Sequence, residues 1–282
     1  MLQPPLLSCA IIYDFDGTLA EGNCVEYGVL DELGISDKDQ FWADVKEKTM
    51  TDDADEILTY MGLLAERAAE LDSRVLQPKS LREHGKRIRL YDGVQTWFTR
   101  INEYAEDHGL SIDHYVISSG LEEMIAGCAI GGEFHKIFGC RYTSFNARGL
   151  CYWPTQVINY TTKTQYLFRI NKGVNNSWNN EKVNRYVEPS ERPMPFERMI
   201  FLGDGDTDIP SMKMVRYQGG NSIAVFDEVK WKSGSARSKA EKLISEERAN
   251  CVVPADYRDG SQLDVTMKGL LQLIRRKATG HQ

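Results

Sequence analysis

Metal-type cysteine spacing is absent from this chain. Its six cysteines, Cys9, Cys24, Cys128, Cys140, Cys151 and Cys251, are scattered, with no CxxC pair and no histidine at zinc spacing. That sets aside a structural zinc site. The expectation is free thiols, buried or half-buried, in a reducing cytoplasmic setting. A basic stretch leading into a long apolar run is also missing. "PPLLSCAIIY" is too short to span a bilayer and runs directly into Asp14, so no membrane partner is expected. Positive charge is in short supply: 34 Lys and Arg face 41 Asp and Glu, for a net charge of −7. A general nucleic-acid binder needs clustered cations against phosphates, so nucleic acid is not an expected partner. One small anionic substrate remains possible, since a few local cations can hold it. Internal repeats and low-complexity tracts are lacking too. What is present is 282 residues, 41% hydrophobic and 27% charged. That is an ordinary globular composition, long enough for a substantial core and for two domains or one domain with an insertion. The oligomeric state is left open.

Residues 9–15 form a short β-branched run ended by Gly17, the mark of a buried strand. Residues 24–90 then carry helical spacing, as in "VEYGVLDEL", "QFWADVKEKTM" and "DEILTYMGLLAERAAEL", with no convincing strand. Three or four helices closing near Pro78 and "REHGKRIRL" are expected. Alternation resumes after them. A helix over 92–109 stops at Gly109, "DHYVISSG" is a strand, and "LEEMIAGCAI" is a helix. Short strands with a turn at Asn146 to Gly149 follow, then a helix opening near Lys163 and ending at Gly173. Residues 175–195 read as a polar surface loop. "ERMIFLGDGDTDIPSMKMV" reads as strand, acidic turn and helix; "NSIAVF" and "NCVVPA" are strands, and 261–277 is a closing helix. The pattern predicts an α/β fold, a Rossmann-like, mostly parallel sheet with helices on both faces. The expected division is a core of 1–20 and 90–282, with a helical cap over 21–89.

In such folds ligands sit beyond the carboxyl ends of the strands. Three predicted strands end in polar groups there. Asp14 and Asp16, two residues apart, can address one site, and each raises the other's pKa unless a cation intervenes. One ionised nucleophile beside one proton carrier is then a workable pair, with an Asx-type turn at Gly17 as the plain alternative. Ser118 and Ser119 can cradle an anion or simply cap a helix. Asp204, Asp206 and Asp208 have the spacing of a calcium loop. The sixth and twelfth positions of such a loop, however, are Ile209 and Val215 rather than Gly and Glu, and a strand precedes it. Gly203 and Gly205 suit a sharp strand-to-helix turn instead. Lys163 opens a helix against the helix dipole, an unfavourable position that hints at a task.

Together these segments resemble the haloacid dehalogenase (HAD) superfamily. Its four motifs occur in order: D-x-D-G-T at Asp14 to Thr18, a strand ending in Ser118, Lys163, and G-D-x-x-x-D from Gly203 to Asp208. The helical insertion resembles the C1 cap of phosphoserine phosphatase-like members. The resemblance implies that Asp14 attacks phosphorus and forms an aspartyl-phosphate, while Asp16 protonates the leaving oxygen and then activates water. It implies that Ser118, Ser119 and Lys163 hold phosphate. It also implies Mg²⁺ bound by Asp14, the Asp16 backbone carbonyl and Asp204, with Asp208 orienting Lys163 or a water at the metal. The expected function is a Mg²⁺-dependent phosphatase acting on a small phosphorylated metabolite. The alternatives are a phosphotransferase, or a catalytically silent binding protein on the same fold. Phosphoserine phosphatases carry a Glu nine residues after the nucleophile that reads the substrate ammonium; here that position is Asn23. Glu21 or Glu26 could take its place after a small shift, and Phe41, Trp42 and Tyr60 could face the substrate.

Overall fold

Strand β1 (Leu7–Tyr13) is apolar because both its faces are covered: Cys9 to Tyr13 are each 1% exposed or less. The structure, a computed structural model, describes residues 5–145, 151–231 and 234–280. After β1 come helices α1 (Val29–Glu32), α2 (Lys38–Thr51), α3 (Glu56–Glu70), α4 (Pro78–Gly85) and α5 (Val94–Asp107). They are followed by strand β2 (Leu110–Leu121), helix α6 (Glu122–Gly127), strands β3 (Lys136–Ser144) and β4 (Tyr152–Gln156), and helices α7 (Lys163–Asn171) and α8 (Asn180–Asn184). The chain continues through β5 (Met199–Gly203), α9 (Ile209–Tyr217), β6 (Asn221–Phe226), α10 (Glu228–Trp231), α11 (Gly234–Ser245), β7 (Cys251–Pro254) and α12 (Gln262–Ala278).

The seven strands form one sheet in the order β4-β3-β2-β1-β5-β6-β7. All neighbours are parallel except β3 and β4, which pair antiparallel at one edge. This is the expected mostly parallel α/β sheet. The chain builds outward from β1 to β2 and β3, then returns to the other side at β5. That reversal makes the carboxyl end of β1 a topological switch point, where neighbouring connections diverge and leave a crevice. Tyr13 pairs with Val116 of β2 and Leu202 of β5, so Asp14 is the first residue past the centre of the sheet.

Helices α1 to α4 lie between β1 and α5. The chain enters and leaves them side by side: Ala20 bridges Leu90, Glu21 N donates to Arg89 O at 3.0 Å, and Tyr91 N donates to Leu19 O at 3.1 Å. Gly22 and Gly93 flank this short ribbon at φ +65° and +85°, backbone that a Cβ would strain.

Some elements differ from the sequence expectation. The helix expected over 121–130 stops at Gly127, because Cys128 turns to extended backbone. Residues 175–195 contain α8 and a short 3₁₀ turn, fastened by a buried cation. Arg169 donates to the carbonyls of Asn176 (2.6 Å) and Ser177 (3.0 Å) and to Asn180 Oδ1 (2.7 Å). A polar segment thus keeps its backbone satisfied by a residue outside it. Helices α10 and α11 were not expected at all. The turn expected at Asn146 to Gly149 lies outside the described residues.

Beneath the sheet end, Trp97 Nε1 donates to Tyr13 Oη (2.9 Å), Tyr13 Oη lies 3.1 Å from His114 Nδ1, and His114 Nε2 lies 2.9 Å from Asn102 Oδ1. Burial lowers His114 from an ordinary 6.5 to about 3. Above the ordinary value both folded and unfolded chains carry neutral imidazole. Below it the unfolded chain takes up a proton that the folded one refuses, so acid favours unfolding by about 1.4 kcal/mol per pH unit. Urea unfolding between about pH 7.5 and pH 5 should therefore show wild type losing about 2 kcal/mol more than His114→Gln. Equal losses would mean that another group sets the acid limb.

Candidate active site

The sequence "YDFDGT" leaves the sheet at its switch point, and Asp14 is fixed there by its backbone N–H on Leu202 O (2.8 Å). Its carboxylate is nearly buried and meets Lys163, the first residue of α7. Lys163 Nζ donates to Asp14 Oδ1 at 2.8 Å and to Asp208 Oδ1 at 2.7 Å. Burial alone would lower the Lys163 pKa, but the two carboxylates outweigh it and the net shift is upward, so the ammonium stays charged. Asp208 precedes α9 without capping it; its side chain turns back to Lys163 and to Gly205 N (3.3 Å). Burial and the Asp14 charge push Asp208 upward against the pull of Lys163.

Asp16 points elsewhere. Its Oδ1 accepts from Cys24 N at 2.9 Å, so the Asx turn at Gly17 is not formed through this bond. Burial, and then the Asp14 charge, raise Asp16 well above the ordinary carboxylate value, with the Cys24 hydrogen bond opposing them. Two acids two residues apart are thus differentiated: one paired with an ammonium, the other with its pKa pushed upward by burial.

Strand β2 supplies the hydroxyls. Ser118 Oγ accepts from Gly120 N at 3.0 Å, while Ser119 O accepts from Tyr60 Oη at 2.8 Å. Neither serine caps α6, whose N-cap is Leu121. Ser119 Oγ is buried without a hydrogen-bond partner. An orphaned buried hydroxyl costs about 1–3 kcal/mol unless something fills the place beside it.

Carboxylate oxygens of Asp14, Asp204 and Asp208 lie within 4.8 Å of one another. This set differs from the sequence expectation by the Asp208 side chain, which is also the partner of Lys163. The β1 loop closes tightly on it: a Cβ on Gly17, at φ +78°, would collide with Asp204 Oδ2. Hard oxygen donors with neither thiolate nor imidazole among them fit a hard divalent cation, the class to which Mg²⁺ belongs.

Asp14, Asp16, Ser118, Ser119, Lys163 and Asp204 line one cavity of about 280 Å³. Its far wall comes from the helical segment: Trp42 of α2, Glu56, Ile57 and Tyr60 of α3, and Asn23, with Tyr160 from the core side. Glu21 and Glu26 do not line it. Glu26 is bound to Lys38 and to the indole N–H of Trp42, and Glu21 borders a separate surface hollow. Phe41 is buried against Trp42 instead. Glu56 and Tyr160 were missed in the sequence. Glu56 lies four residues before Tyr60, so helical spacing puts the two on one face.

No family model matches the chain. Among solved structures, it resembles a HAD family hydrolase from Salmonella enterica serovar Typhi, with 17% identity and a TM-score of 0.56 over 94% of this chain and 72% of that one. A substrate-bound phosphoserine phosphatase complex gives 16% identity and TM-score 0.54, over 89% of this chain and 96% of the other. A probable phosphoserine phosphatase from Vibrio cholerae gives 14% and 0.54, over 96% and 67%. A curated relative, an uncharacterized protein of Borreliella burgdorferi, is 26% identical over 90% of this chain and 93% of its own length. The chain therefore has the HAD-type α/β fold.

Proposed function

We propose that this chain is a Mg²⁺-dependent phosphatase of the HAD superfamily, hydrolysing a small phosphomonoester through an aspartyl-phosphate on Asp14. The observation that carries the reading is the unequal acid pair at the switch point. Asp14 bonds Lys163 at 2.8 Å, and Asp16, raised well above its ordinary pKa, lines the same cavity. An ionised carboxylate is a competent nucleophile toward phosphorus, and a neutral one can protonate a departing alkoxide. Asp14 would displace the alcohol while Asp16 gives its proton to the leaving oxygen. Asp16 would then take a proton from the water that opens the acyl-phosphate. Lys163 and the hydroxyls of Ser118 and Ser119 would hold the phosphate oxygens, with Asp208 positioning Lys163. Mg²⁺ held by Asp14, Asp204 and the Asp16 carbonyl would neutralise phosphate charge.

Residues 21–89 would act as a cap over this core, excluding water and touching the leaving group. Two hydrogen bonds tie α3 to the core beside the cavity, Asn159 to Asp55 Oδ2 and Tyr160 to Glu56 Oε2. No helix among the described residues is long and apolar enough to cross a membrane. The cysteines are free, and a cytoplasmic location is part of this reading.

The test is phosphate release from an activated aryl phosphate. Chelator should abolish it and Mg²⁺ restore it. Ca²⁺ should serve poorly, since its larger, looser shell can engage both oxygens of Asp14. Full activity in excess chelator would refute the metal requirement. Gly17→Ala places a methyl group against Asp204 and strains a left-handed residue, which should cost about 1 kcal/mol or more of stability. Its half-saturating Mg²⁺ concentration should rise by about tenfold; an unchanged Mg²⁺ titration would remove Asp204 from the metal set.

A further inference from the structure

The cavity wall facing the phosphate site is aromatic and anionic. Trp42 and Tyr60 meet with ring centroids 5.8 Å apart and planes at 65°, making an apolar corner. Each is anchored at its polar end. The Trp42 indole N–H donates to Glu26 Oε1 (3.0 Å), and the Tyr60 hydroxyl donates to Ser119 O (2.8 Å). Glu56 lines the same wall, with Oε2 accepting from the Tyr160 hydroxyl at 2.9 Å. Lys163 is the one basic side chain among the described residues that line the cavity, and it bridges Asp14 and Asp208.

This distribution of charge selects a leaving group. One bearing a carboxylate or a second phosphate would be desolvated beside Glu56 with no cation to pair it. A cation would meet a carboxylate and two aromatic side chains, whose π systems attract positive charge. A primary ammonium brings three N–H donors that each need an acceptor, whereas a quaternary ammonium brings none and suits ring faces. We infer that the site takes the phosphate ester of a small amino alcohol bearing a quaternary ammonium, its cation resting among Trp42, Tyr60 and Glu56. The inference rests on the phosphatase reading above and names the substrate class for that same cavity.

The experiment compares kcat/KM for phosphocholine with that for its carbon isostere, 3,3-dimethylbutyl phosphate, and measures an activated aryl phosphate alongside. The two alcohols differ in intrinsic leaving ability, but that difference is common to wild type and variants and cancels between them. The phosphocholine-to-isostere ratio should fall by about tenfold in Glu56→Gln and likewise in Trp42→Leu. Phosphoserine, which adds a carboxylate, should be a poorer substrate of the wild type than phosphocholine. A ratio unchanged in both variants, or phosphoserine preferred, in an enzyme that hydrolyses the aryl phosphate would overturn the inference and leave the phosphatase reading standing. A wild type inert toward every ester with Mg²⁺ present would overturn both.

Discussion

Asp14→Asn protein should fold as wild type does and release no phosphate. The amide is isosteric, and its oxygen can still accept from Lys163, so the buried contact at 2.8 Å is largely kept. It cannot form an acyl-phosphate, because its oxygen is not a carboxylate nucleophile. The loss in kcat should be at least about 1,000-fold, or ~4 kcal/mol of barrier. The unfolding midpoint should move little. Turnover within about tenfold of wild type would assign the nucleophile to another group.

The second large effect is expected at Lys163, where structure and chemistry are joined. Lys163 is 1% exposed, and its ammonium lies between Asp14 at 4% and Asp208 at 0%. Lys163→Met removes the cation shared by two buried acids. Breaking a buried ion pair from one side costs about 3–5 kcal/mol, because the remaining charge is left uncompensated. Phosphomonoester hydrolysis should fall as well, since the cation proposed to hold the phosphate is lost. The double variant Lys163→Met with Asp208→Asn separates the two roles. It removes one of the stranded charges, so part of the stability should return while activity stays low. Activity returning together with stability would make Lys163 a purely structural residue.

Sequence and structure agree most closely where a single local rule decides the outcome. The buried parallel strands read as short apolar runs because both faces are covered, and β1, β5 and β6 follow that rule. Lys163 stood out because a cation at a helix start opposes the dipole; in the fold two carboxylates offset that penalty. Helix α11 was not legible, being a polar helix near the end of the sheet without a marked apolar stripe in "GSARSKAEKLIS". Residues 175–195 read as loop because the cation that fastens them, Arg169, lies outside the segment. Gly17 shows the same limit at the site. The sequence says only that a turn follows Asp16, while its role as the space that admits Asp204 depends on β5 lying next to β1. Glu56 was hidden for a related reason. Helical spacing ties it to Tyr60, but only the packing of α3 over the sheet end brings both to Asp14.

The proposed aspartyl-phosphate on Asp14 is the consequence of this reading most directly open to measurement. Wild-type enzyme mixed with a good phosphomonoester and Mg²⁺, then quenched in acid within one turnover, should carry one phosphoryl group. Borohydride reduction converts a phosphorylated aspartate to homoserine, and peptide mass spectrometry should find that change at position 14 alone. Label on a different residue, or rapid turnover with no residue ever labelled, would contradict the assignment of Asp14 as the nucleophile.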